Sequence, residues 1–101
     1  MKKRTPLSEG YRELSEEKVS YGKVYFRTMF ESRTTTECYR LGKLLMMPHS
    51  KIALHSHDVG CEWYLDEDTG ETYFCPQGSA HEFVNNTNSE KHLLFVQKEV
   101  L

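Results

Sequence analysis

No run of apolar residues in this chain approaches the roughly 18 needed to cross a bilayer as a helix, which excludes a helical membrane span. The charged start Lys2-Lys3-Arg4 is not followed by the apolar stretch of a secretory leader, and a cytoplasmic location is the expectation. Cysteine is scarce. Cys38, Cys61 and Cys75 are odd in number and lack CxxC spacing, which fits reduced thiols better than a disulfide framework. An excess of one charge is missing too: the net charge of −2 and pI near 6.2 leave no electrostatic footprint for nucleic acid. Neither nucleic acid nor a membrane is expected as a partner. There is no internal repeat and no low-complexity segment, and 101 residues leave room for one domain with one core.

What the chain does have is strand alternation. Residues 1–20 are polar and charged and read as an N-terminal arm, loose or with a short helix; residues 21–101 read as a single β-barrel domain. Lys23 to Phe30 puts Val24, Phe26, Thr28 and Phe30 on one face and Tyr25, Arg27 and Met29 on the other. ESRTTT connects it to a second long strand, Cys38 to Met47, interrupted by Gly42 and closed by a turn at Pro48-His49. Further strands are expected over Ile52 to His57, Glu62 to Leu65, Glu71 to Cys75, Ala80 to Asn85 and His92 to Lys98, with a turn at Asp66 to Gly70. Short strands between regularly spaced turn signals argue for an all-β barrel or sandwich.

Three histidines and one glutamate carry the chemistry. His55 and His57 share one face of an extended strand, because side chains alternate with a period of two. The Asp58-Val59-Gly60 break lets Glu62 return toward the same point, and His81 follows in the segment PQGSAHEFVNN. Imidazole nitrogens with a carboxylate oxygen suit divalent iron, manganese, nickel, cobalt or zinc rather than calcium. Tyr64 shares parity with Glu62 and Phe83 with His81, so both are expected as walls of a ligand pocket or as core filling. Tyr64 is the nearby candidate proton donor, the expected catalytic residue. His49 reads as a turn residue, His92 as a strand residue, the Asp66–Gly70 segment as a solvated turn rather than a calcium loop, and Asn85 as a turn pin. Trp63 and Leu65 fall on the outward face, an apolar patch that predicts a homodimer.

HxH, four residues and Glu, followed by PxGxxHxxxN, resembles the two motifs of the cupins over roughly residues 42 to 96. The resemblance implies a small double-stranded β-helix, or jelly-roll, barrel in which His55, His57, Glu62 and His81 bind a metal. Two departures stand out. His49 occupies the place of the first motif's usual glycine, and only WYLDEDTGETYFC separates Glu62 from Pro76, where family members carry an extra hairpin. A short or partly open barrel is therefore expected, with a pocket that is wider or completed by a partner subunit.

A 3-His/1-Glu site on a metal that accepts six ligands leaves about two adjacent positions open. The resemblance thus implies a small metalloenzyme, dioxygenase- or isomerase-like, acting on a small polar molecule. The alternative is a non-catalytic ligand-binding or sensing cupin module, since the fold hosts both.

Overall fold

The computed structural model describes residues 6–56 and 59–101. Among them are two single-turn 3-10 helices, Leu7–Glu9 and Glu16–Lys18, no α-helix, and nine strands. The strands are β1 Arg12–Glu13, β2 Val19–Tyr21, β3 Val24–Arg33, β4 Glu37–Met46, β5 Ser50–His55, β6 Cys61–Asp66, β7 Thr72–Cys75, β8 His81–Asn85 and β9 Lys91–Val100. They form an antiparallel six-stranded sheet, ordered β1-β3-β4-β9-β6-β7, and an antiparallel three-stranded sheet, β2-β5-β8. No ladder joins the two sheets among the described residues, so the expected partly open barrel is a two-sheet shell.

The core lies between the sheets. Residues directly opposite in a ladder share a face, and the register places Val24, Met46, Leu44, Leu93 and Tyr64 on the inner face of the large sheet. Ile52 from the small sheet meets them, with Phe26, Phe83, Phe95, Leu14 and Val19 packed at the margins. The segment read as a loose arm contributes here: Val19 pairs with Ile52, Glu13 pairs with Tyr25, and Leu14 packs on the core. Its polar composition hid two short edge strands whose stability comes from pairing, not from local pattern.

A bulge in β3 changes one expected face. Thr28 opposes Gly42 and Phe30 opposes Leu41, so the alternation slips by one and Phe30 joins the outer face, 61% exposed. Gly42 does not break β4. A Cβ there would lie 2.5 Å from the Phe95 ring, so glycine lets that ring lie across the strand.

The outer face of the large sheet carries a single apolar row. Phe30, Leu41, Val96, Trp63 and Phe74 are successive ladder partners on five adjacent strands, a stripe about 19 Å long at ordinary strand spacing. Leu65 and Leu94 lie alongside as a further cross-strand pair.

The turns follow the expected chemistry with added detail. His49 is left-handed, φ 54°, in the place of the family glycine, and its Nε2 lies 2.7 Å from Asn88 Oδ1. Asp66 is buried rather than solvated: its Oδ1 accepts the N–H groups of Asp68 and Thr69, and Lys91 Nζ lies 3.7 Å from Oδ2. Asn85 is 2% exposed and ties the β4–β5 and β8–β9 connections together. Its amide donates to the carbonyls of Met46, Met47 and Ser89, and its Oδ1 accepts from Thr87.

Removing that amide strands buried carbonyls, each costing about 1–3 kcal/mol. Asn85→Ala is expected to lower unfolding free energy by about 3 kcal/mol, read as a lower denaturant midpoint with unchanged slope. A loss under about 1 kcal/mol would contradict the role.

Candidate metal centre

His55 reaches the interior because β5 is irregular. Ile52 opposes Phe83 and His55 opposes His81, three residues on β5 against two on β8. Straight alternation from the buried Ile52 would turn His55 outward. The extra residue reverses the parity, leaving Leu54 63% exposed and His55 facing inward. His81, at the start of β8, stands directly across the ladder, and the two imidazole centroids are 4.2 Å apart.

Glu62 arrives from the large sheet. Gly60, φ 94°, precedes β6, and a Cβ there would fall 1.9 Å from the Lys98 carbonyl oxygen, so no other residue allows β6 to start in this register. Glu62 is thereby set inward and 5% exposed. Its Oε1 lies 3.5 Å from His81 Nε2, and single donor atoms of His55, Glu62 and His81 all lie within 4.8 Å of one another. His57 and Asp58 lie outside the described residues.

These donors fit a divalent transition metal. Two atoms each about 2.1 Å from one ion stand about 3 Å apart at a right angle and about 3.4 Å apart at a tetrahedral angle, the range of the His81–Glu62 separation. The ring nitrogens on the far side are engaged as well. His55 Nδ1 lies 2.7 Å from the Ala53 carbonyl oxygen and His81 Nδ1 lies 3.3 Å from that of Ser79. A carbonyl only accepts, so in the neutral ring each Nδ1 carries the proton and each Nε2 presents the lone pair that a metal would take.

Tyr64 orients the carboxylate. Two residues beyond Glu62 on the same face, it donates its hydroxyl hydrogen to Glu62 Oε2, and its ring packs on Phe83 at a centroid distance of 4.5 Å. Burial and the Glu62 charge raise the Tyr64 pKa well above its ordinary value, so the phenol stays a donor. Cys75, across the ladder from Glu62, packs in the core; burial first and Glu62 second raise its pKa, which keeps it a thiol. Cys38 and Cys61 are also free.

A cavity of about 690 Å³ opens beside the site. Glu62, His55 and Tyr64 border it together with Gln97 and the apolar Leu14, Phe26, Leu44 and Phe95. A second cavity of about 480 Å³ shares Glu62, Gln97, Ser56 and Lys18 with the first and adds Arg40. Sequence reasoning missed Gln97, Arg40 and the wall formed by Leu14 to Lys18. Gln97 had a signal: it is the polar residue following Leu93 and Phe95 at inward positions of β9. Partners of ligating carboxylates are worth about 10–100-fold in metal affinity. Tyr64→Phe is expected to weaken metal binding about tenfold, measured by chelator competition, with the fold retained; an unchanged affinity would remove Tyr64 from the site.

No protein-family model and no curated protein matches the chain. Solved structures do. A protein described as a predicted oxalate decarboxylase from Thermotoga maritima aligns at TM-score 0.68 and 18% identity, covering 90% of this chain and 92% of its own. A Cupin 2 conserved barrel domain protein from Salinispora arenicola gives 0.60 and 16%, covering 96% and 87%. An acetylacetone dioxygenase from Acinetobacter johnsonii gives 0.50 and 14%, covering 95% and 71%. With the two antiparallel sheets and the paired motifs in place, the chain is a small protein of the cupin fold.

Proposed function

We propose that the chain is a small metal-dependent enzyme, dioxygenase- or isomerase-like, acting on a small polar molecule in the cavity beside Glu62. The observation that carries this reading is the convergence of His55, Glu62 and His81 within 4.8 Å, two of them on the wall of the cavity. His57, two residues after His55, is proposed as the fourth ligand. The metal is proposed as iron, manganese, nickel, cobalt or zinc, which the nitrogen and oxygen donor set suits. When bound, it supplies a Lewis acid that polarises a substrate oxygen or, if redox-active, a centre for oxygen chemistry.

The chain's own residues set the conditions. Tyr64 holds Glu62 in place, the bulged β5 presents His55, and Leu14, Phe26 and Phe95 exclude water from one side of the ligand. The likeness in fold to proteins described as a predicted oxalate decarboxylase and an acetylacetone dioxygenase supports a small oxygen-bearing substrate. Protein purified without chelator is expected to carry one such metal per chain and, with a redox metal, to consume oxygen when offered its substrate among diketones, diols, thiols and sugars. A metal-bearing protein that returns a tightly held, unreacted molecule is a binding module instead; protein that neither carries nor takes up metal overturns the site.

The chain is further proposed to be a homodimer joined through the outer stripe. Phe30, Trp63 and Phe74 are 61%, 41% and 55% exposed, and a contiguous apolar row of this kind marks a contact surface. Light scattering at micromolar concentration is expected to give the mass of two chains, and Trp63→Lys to give one. A monomeric parent protein would contradict this.

A further inference from the structure

Gln97 stands beside the candidate ligand Glu62 as its direct ladder partner, and beside Arg40 as the partner on the other side. Opposed residues on one sheet face have Cβ atoms about 5 Å apart, so the Gln97 carboxamide reaches the space next to the Glu62 carboxylate. It borders both cavities.

A carboxamide can present either an acceptor or a donor, and here the neighbour decides which. A guanidinium has N–H donors and no acceptor, so the Gln97 atom it meets is the oxygen. Arg40 Nη1 donates to Gln97 Oε1 at 3.3 Å. Arg40 is itself flanked by Glu99 Oε2 at 3.4 Å and by Glu31 Oε2 at 3.8 Å, and these carboxylates favour its place beside Gln97. The amide nitrogen of Gln97 has no hydrogen-bond partner among the described residues. Lys18, which borders the same two cavities, makes no ion pair among the described residues.

We propose that Gln97 is the ligand-orienting residue of this site: its amide N–H donates to an oxygen of a molecule held beside Glu62. The site then takes small ligands that present a carbonyl or carboxylate oxygen to this N–H, and discriminates against ligands that present N–H groups there. Lys18 supplies the charge complement for an anionic member of that class. The proposal rests on the metal site proposed above, and its test separates the two.

Parent protein, Gln97→Leu and Gln97→Glu are titrated first with cobalt(II) alone and then, cobalt-loaded, with oxalate or with ethylenediamine, a chelator whose ligand atoms carry N–H. Cobalt affinity of Gln97→Leu is expected to stay within about twofold of the parent's, because the side chain is not a ligand. Oxalate affinity is expected to fall about tenfold in Gln97→Leu, the worth of one hydrogen bond to a charged acceptor, and further in Gln97→Glu, where a carboxylate faces the anion. Ethylenediamine affinity is expected not to fall in either. If Gln97→Leu does not fold, Gln97→Glu keeps the shape and carries the test alone. Unchanged oxalate affinity in the folded variants, or a cobalt-loaded parent that does not take oxalate, overturns the proposal and leaves the metal site standing. Loss of cobalt binding in both variants makes Gln97 part of the metal scaffold and also overturns it. A parent that does not bind cobalt removes the metal site and the proposal together.

Discussion

The 3.5 Å approach of His81 on the small sheet to Glu62 on the large one is the constraint on which the rest of this molecule turns. Glu62 is 5% exposed, its Oε2 accepts the Tyr64 hydroxyl, and its Oε1 faces His81 Nε2. This is a donor set that suits the divalent cation proposed above. The β5 bulge turns His55 inward, the Gly60 conformation sets Glu62 in register, and Tyr64 fixes the second carboxylate oxygen. Of these features only the Tyr64 ring also serves the apolar core. Each costs regularity and returns geometry.

The large sheet separates two tasks by face. Inside, Val24, Leu44, Met46 and Leu93 make the apolar end; beyond the β3 bulge the inner face turns polar, with Glu31, Arg40, Gln97 and Glu99. Glu62 sits at the border between these halves. Apolar wall lies on one side of Glu62 and the side chains of Gln97 and Arg40 on the other. Outside, Phe30, Leu41, Val96, Trp63 and Phe74 form a stripe that contributes nothing to the pocket. The N-terminal segment from Leu14 to Lys18 borders the cavity.

Much of the fold was legible because it is written in local pattern. Alternation and turn residues located the strands from Val24 onward, and the β6–β7 hairpin turns at Gly70 as its residues demand. The His49 turn persisted without the family glycine, since histidine tolerates the left-handed region and Asn88 holds its ring. What local pattern does not carry is a bulge, which is decided by which strand lies opposite. Parity counting therefore placed Phe30 on the face of Val24 and Phe26, where the structure turns it to the opposite face, and gave no account of how His55 turns inward. The pairing of Val19 with Ile52 was hidden for the same reason. At the site, motif spacing named His55, Glu62 and His81, which the structure brings together, while Gln97 and Arg40 belong to no motif and emerge only when β4, β6 and β9 lie side by side.

X-ray absorption at the metal edge of natively purified protein tests the central claim most directly. The account predicts one bound transition metal whose nearest neighbours are nitrogen and oxygen at about 2.0–2.2 Å, with the outer-shell scattering of imidazole rings. A shell of sulfur at about 2.3 Å, drawn from Cys61 or Cys75, or protein that holds no metal after exposure to each candidate ion, would contradict it.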